Sequence, residues 1–201
     1  MNWKIIYIMK NGKQKGVITI DVLEAIHKRR SIRSFTDQPV ADELLNQILE
    51  AGTWAPSAGN MQAWEFVIVK DPTARRKLVD TTDAGNTARG GIYTQEWIMK
   101  APVVVVVCCD VKRMTGRYGH KGRTLMTIMD CMLCVENMVL AATHFGLGTC
   151  CVVGFDPVKL KELLPIPKEI YPLLLVPMGY PAQEPSAPNR LPLKDVVRLV
   201  L

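Results

Sequence analysis

Between Pro102 and Asp110 the chain reads Val-Val-Val-Val-Val-Cys-Cys, without a single polar residue in alternation. Successive side chains of a β-strand point to opposite faces, so a strand apolar at every position must be covered on both. This segment therefore belongs in the middle of a sheet with a layer packed on either side. A second stretch, Thr124 to Phe145, is mostly apolar, with Asp130, Glu136 and Asn137 as its few polar breaks. It is too long for a strand and ends at Gly146, which reads as a buried core helix with a glycine stop.

The remaining signals are local. Asp21 followed by Glu24 has the form of a capping box for a helix ending near Arg30. Val40 to Ala51 repeats the amphipathic pattern, with Gly52 as terminator. Trp64 to Val69 has the aromatic and β-branched composition of a strand, stopped by Asp71-Pro72, where Asp71 can cap the next helix. Tyr93 to Met99 suggests a helical turn, Cys150 to Val153 a strand, Asp156-Pro157 a capped helix through Leu164, and Leu173 to Val176 a strand before Pro177. Pro181 to Pro192 is Pro-rich and without a period, and the tail Val196 to Leu201 is β-prone, apolar and in want of a partner.

With 201 residues, 48% of them hydrophobic and 22% charged, the chain is expected to form one domain, spanning residues 20–201 after an N-terminal extension of 1–19. The longest near-unbroken apolar run, Ala101 to Cys109, is about half of the roughly 20 residues needed to cross a bilayer, so no membrane partner is expected. Lys4 splits the apolar start of the chain, and no secretory signal is read there. The six cysteines fall in close pairs inside apolar segments, as in a reduced, cytoplasmic protein. The net charge of +6 fits anionic ligands of any size. No nucleic-acid motif accompanies it, and only 6% of residues are aromatic, so nucleic acid is not an expected partner.

Three constellations could carry chemistry. Arg29-Arg30-Ser31-Ile32-Arg33 gathers three guanidinium groups and a hydroxyl after the first helix. Cations there complement the helix dipole, and equally they could bind an anion with flat polar edges, since guanidinium forks match phosphate and carbonyl oxygens. Ala55 to Trp64 is a loop of small residues in which Ser57, Asn60 and Gln62 offer hydrogen-bond partners; it reads as an ordinary turn or as a close approach to a planar ligand. Gly146-Leu-Gly-Thr-Cys-Cys-Val-Val-Gly154 follows a helix instead of opening one, so it is no dinucleotide fingerprint.

Taken in order, the basic serine motif, the Pro56-Ser-Ala-Gly-Asn-Met-Gln62 loop, the helix carrying Glu136-Asn137 into Gly146-Leu-Gly-Thr-Cys, and Arg190-Leu-Pro-Leu193 resemble the FMN-dependent nitroreductase family, over about Ile20 to Val197. The resemblance implies an α+β three-layer sandwich with a central, mostly antiparallel sheet flanked by helices. It implies an intertwined homodimer, with the C-terminal tail exchanged between subunits and one FMN in each of two interface sites. It further implies ping-pong transfer of electrons from NADH or NADPH to a nitroaromatic, quinone or similar small-molecule acceptor.

Carried across, Arg29, Arg30, Ser31 and Arg33 would contact the FMN of their own subunit. Arg29, Ser31 and Arg190 would take phosphate and ribityl oxygens, and Arg33 the pyrimidine edge. Pro56, Ser57, Ala58, Asn60 and Gln62 would approach from the partner, while Val153, through its N–H, and Gly154 would lie near the reactive flavin nitrogen. Two residues depart from the pattern: Ala63 stands where a proline is usual, and Pro188 where many relatives carry a basic phosphate ligand. No side-chain acid or base is assigned, and no metal.

Other readings stand beside this one. Cys131 and Cys134 with Cys150 and Cys151 could form a metal site, or could be small buried side chains. The basic run Lys112, Arg113, Arg117, His120, Lys121 and Arg123 reads as a solvated loop, with a role at the nucleotide phosphates or over the cleft as the alternative. His144 is expected to pack or cap, and none of the three histidines receives a role. A flavin-binding protein without turnover, or a relative that dehalogenates or dismantles its flavin, remains distinct from the main reading.

Overall fold

The computed structural model describes residues 21–83 and 94–199. In chain order these form α1 (Val22–Lys28), α2 (Asp42–Thr53), β1 (Trp64–Val69), α3 (Pro72–Val79), β2 (Val103–Asp110), α4 (Val111–Lys121), α5 (Thr127–His144), β3 (Gly148–Thr149), α6 (Pro157–Leu163), β4 (Ile170–Gly179) and α7 (Leu193–Val196). The four strands make one antiparallel sheet in the order β1-β2-β4-β3.

β2 is central, as its composition requires. Val103, Val105, Val107 and Cys109 pack into a core shared with α2 and α5. Val104, Val106 and Cys108 point the other way, into a second core with α3 and α6. Both sets are buried. The result is a three-layer α+β sandwich, and the identical side chains on either face explain why the run has no alternation.

The helix starts obey local chemistry. Asp21, Asp71, Asp110 and Asp156 each accept first-turn backbone N–H groups, and Pro72 and Pro157 occupy first helical positions. At α1 only half of the expected capping box forms, because the Glu24 carboxylate pairs with Lys28 at 2.6 Å.

The fold corrects four local expectations. Gly52 lies inside α2, where a Cβ would meet Met138 Cγ at 2.6 Å and Cys134 Sγ at 3.0 Å; its function is close packing of α2 on α5. The basic run is helical: it is α4, capped by Asp110 and continued through a π-turn, Gly122–Met126, into α5. By length and composition the whole run Val111–His144 could cross a bilayer, but α5 packs on β2 and α2 as the core helix. Its burial is one-sided, with Ile128, Met129, Met132 and Leu133 exposed. The β-prone tail from Val196 follows the short α7 and its backbone is extended at Val197, but it pairs with no strand among the described residues.

The fourth correction concerns Cys150 to Val153. The strand there starts earlier, at Gly148, and its ladder breaks at Cys150. Cys150 N–H donates to the Pro177 carbonyl at 3.3 Å, but Pro177 has no N–H to return. Two residues on, Val152 and Leu175 exchange both bonds at 2.9 Å. β4 itself runs through Pro177, and its other proline, Pro172, sits beside the register shift between Val107 and Cys108. Within Tyr93 to Met99 a 3-10 turn covers Glu96–Lys100; Tyr93 and the N-terminal extension 1–19 lie outside the described residues.

Candidate functional site

The basic motif lies along the β3 edge of the sheet. Ser31 forms a parallel bridge with Thr149, and Ile32 N–H donates to the Thr149 carbonyl at 2.9 Å. Gly148 permits this approach, since a Cβ there would stand 2.6 Å from Ile32 Cγ1. Next along the chain, the buried Cys150 directs its thiol at the Cys151 carbonyl, 3.8 Å away. Burial pushes that thiol up, against the opposing pull of the Arg33 charge, Ser31 and the Arg29 charge. The Arg33 guanidinium also lies 6.0 Å from the Trp97 ring centroid, and Trp97 stacks on Phe35.

Arg30 behaves differently, binding the His27 and Arg29 carbonyls at 2.7 and 2.8 Å and so closing the C-terminal end of α1. The helix-dipole reading therefore describes Arg30, although its Nε is buried without a partner. Among the described residues none of the three arginines is paired with a carboxylate.

Beyond Cys150 the chain turns at Val153 and Gly154, with Val153 exposed. Carbonyl groups on the inner side of this turn are all occupied. Val152 O accepts from Leu175 N and Val153 O from Phe155 N (3.1 Å). Gly154 O accepts from both Asp83 N (2.9 Å) and Gln95 Nε2 (3.2 Å). Among the described residues the N–H groups of Val153 and Gly154 have no acceptor. Two successive backbone donors are thus left without an acceptor among the described residues, an arrangement suited to an electron-rich ligand.

The loop of small residues forms a separate half. Pro56, Ser57 and Ala58 face Met129, Asp130 and Leu133 across a cavity of about 250 Å³. Ala58 N–H donates to the Asp130 carboxylate at 2.9 Å, and Gln62 N–H to the Ser57 hydroxyl at 3.0 Å. Gly59, Asn60 and Gln62 have φ of +56°, +56° and +49°, so two side-chain-bearing residues occupy the left-handed region. Such strain persists only where the surroundings hold it. Here Arg113 binds the Gln62 carbonyl, and Arg117 binds the Gly59 carbonyl at 3.3 Å.

The two halves do not meet within one chain. The loop feeds β1 at one sheet edge, while Ser31 adjoins β3 at the other, about three strand spacings or ~14 Å away. They are also separated along α5, from Asp130 near its start to the turn beyond His144, about 25 Å. Arg190 lies on the exposed tail, its described hydrogen bond reaching only the Asn189 carbonyl.

Sequence reasoning missed Gln95, Asp130, Arg113 and Arg117 as site-shaping residues. Asp130 was visible as one of two carboxylates in an apolar helix, and the two arginines as part of the basic run; Gln95 carried no signal. Five of the six cysteines are buried and Cys151 is exposed; burial pushes the thiols of Cys108 and Cys134 up to about 12. Among the described residues no group of three His, Cys, Asp or Glu side chains could hold a metal. His144 is half-buried, edge-on to Phe145.

The sequence and the fold are shared with known proteins. The Nitroreductase family profile matches residues 26–180, and the chain belongs to that family. It is 31% identical to an NADH dehydrogenase of Thermus thermophilus, over 89% of this chain and 95% of that protein. It is 33% identical to an FMN reductase (NAD(P)H) of Bacillus subtilis, over 88% of this chain and 72% of that one. Among solved structures, the NADPH:FMN oxidoreductase of Vibrio harveyi in complex with NAD+ superimposes with a TM-score of 0.75 at 30% identity, covering 89% of this chain and 76% of the other.

Proposed function

We propose that this chain is an FMN-dependent NAD(P)H oxidoreductase that reduces nitroaromatic, quinone or similar small-molecule acceptors, acting as a cytoplasmic homodimer. The observation that carries the reading is the pair of half-sites at opposite sheet edges, each furnished for a planar anionic ligand and neither complete alone. A second copy supplies the missing half. The apolar stripe Ile128, Met129, Met132 and Leu133 beside the small-residue loop, and the exposed Leu191, Leu193, Val197 and Leu199 of the tail, are surfaces such an assembly would cover. Residues 20–201 then act as one domain whose tail reaches across to the partner.

The donor set fits FMN. Among the described residues three guanidinium groups lack carboxylate partners, Arg30 Nε is buried and unpartnered, and two adjacent N–H groups have no acceptor. Arg29 and Ser31 would hold phosphate and ribityl oxygens, with Arg30 Nε as a further donor and Arg190 arriving on the tail. Arg33, steadied by the Trp97 face, would meet the pyrimidine edge, where a fixed cation favours an anionic ring. Val153 and Gly154 would donate N–H groups toward the reactive nitrogen. Pro56, Ser57, Ala58, Asn60 and Gln62 of the second copy would close the far side. When bound, FMN accepts hydride from NADH or NADPH and passes electrons to the second substrate. The protein binds, orients and polarises; no side chain has to move a proton.

The test is direct. The purified protein should be yellow, elute as a dimer, and lose its visible absorbance when NADH or NADPH is added without oxygen. A colourless preparation that also fails to take up added FMN would overturn the proposal.

A further inference from the structure

We propose that Gln95 is a positioning residue: its amide holds the Val153–Gly154 turn and so sets the direction of the Gly154 N–H toward the ligand. The inference rests on the FMN reading above and adds to it a residue outside every motif.

Gln95 is itself held at both backbone ends. Its N–H donates to Thr82 Oγ1 at 2.8 Å, and its carbonyl accepts from Ile98 N at 3.0 Å. Thr82 is fixed in turn, with its hydroxyl donating to Val79 O at 2.6 Å. From this anchored position Nε2 reaches two carbonyl oxygens, Asp83 O at 3.0 Å and Gly154 O at 3.2 Å. Two acceptors facing one terminal atom identify that atom as the amide nitrogen, and its two protons match them.

The second bond to Gly154 O comes from Asp83 N–H, so both lone pairs of that carbonyl are engaged. That carbonyl shares its peptide with the Phe155 N–H, which donates to Val153 O at 3.1 Å, and Val153 O in turn shares its peptide with the Gly154 N–H. The clamp therefore acts on the Gly154 donor through the Val153–Phe155 turn, while the Val153 N–H is set by the bond between Val152 O and Leu175 N. Gly154 is required for this approach, because a Cβ there would lie 2.3 Å from Asp83 O and 3.3 Å from Gln95 Nε2. Gln95 thus ties three chain segments together: Asp83, the start of the 3-10 turn and the Gly154 turn. None of the clamp's own hydrogen bonds involves a charged group, but the Asp83 carboxylate stands close by, 3.1 Å from the position of a Gly154 Cβ.

The experiment compares wild type with Gln95→Leu, which removes both donors, and Gln95→Glu, which can donate only when protonated. FMN affinity is read by quenching of flavin fluorescence and the midpoint potential by spectroelectrochemistry, each at pH 8 and pH 5. Gln95→Leu should bind FMN about tenfold more weakly at both pH values, in line with one lost pair of neutral hydrogen bonds, and should have a lower potential. Gln95→Glu should match Gln95→Leu at pH 8 and move toward wild type at pH 5, a recovery that general loosening of the fold would not produce. Wild-type affinity and potential in Gln95→Leu, or no acid recovery in Gln95→Glu, would overturn the proposal.

Hydrogen exchange of the Asp83 amide in the flavin-free proteins separates this inference from its parent. If wild type binds no FMN, the parent reading fails, and the positioning role toward the ligand fails with it. In that case faster exchange in Gln95→Leu would leave only a structural clamp. If wild type binds FMN and Asp83 exchange is unchanged in Gln95→Leu, Gln95 alone is wrongly assigned.

Discussion

Gly52 and Met138 approach so closely that a methyl group does not fit between them: a Cβ on Gly52 would stand 2.6 Å from Met138 Cγ. The contact sets the distance between α2 and α5, and so the placement of the loop that follows α2. In an isolated helix Gly52→Ala would gain about 1 kcal/mol. Here overpacking, which costs about 1–3 kcal/mol, should prevail and leave the variant about 1 kcal/mol less stable in urea unfolding. A more stable variant would show that the contact is soft.

Asp130 links α5 to the small-residue loop through Ala58 N–H. Asp130→Ala leaves that donor without its charged acceptor and should cost about 2 kcal/mol of stability. Asp130→Asn, which keeps an acceptor oxygen, should cost less. Calorimetry gives the stabilities, and amide exchange at Ala58 should accelerate in the alanine variant. Equal stability of all three proteins would remove Asp130 from the loop's support.

Arg33 lies 6.0 Å from the Trp97 ring centroid and has no carboxylate partner among the described residues. Arg33→Ala should weaken FMN binding about tenfold, a charged hydrogen bond's worth, or lower the flavin potential. Titration and potentiometry read the two effects. If neither changes, its assigned role at the pyrimidine edge is wrong.

Glu96 joins the 3-10 turn to α3 through Arg76, and hydrogen bonds from Arg76 and then Thr94 hold its carboxyl down at about 2, against 4.5 ordinarily. A depressed carboxyl stabilises the fold above its unfolded value, and that contribution fades as pH falls from about 4.5 toward 2. The pair is solvent-exposed, so the effect is small and screened by salt. Wild type should melt slightly above Glu96→Gln at pH 7, with the gap closing across that window. A gap that widens on acidification would contradict the assignment.

The layering was legible because β2 is apolar at every position, and a two-sided strand has few alternatives. Local capping was legible at Asp71 and Asp156 because an aspartate followed by proline acts within one turn. What escaped depends on partners distant in sequence. Gly52 looks like a helix stop until Met138 is beside it. The interruption at Cys150 is written at Pro177, and the strain at Asn60 is held from Arg113 and Arg117. Gln95 is the extreme case, since its two acceptors, Asp83 and Gly154, are neighbours only in the folded chain.

The separation of the small-residue loop from the arginine motif has a genetic consequence. On the two-chain reading, a polypeptide ruined at Arg33 and another ruined at Asn60 are each inert as pure populations. Co-expressed, they could pair so that one socket combines both lesions while the other collects only healthy halves. Two dead alleles would then complement each other, to at most half the capacity of an unmutated pair.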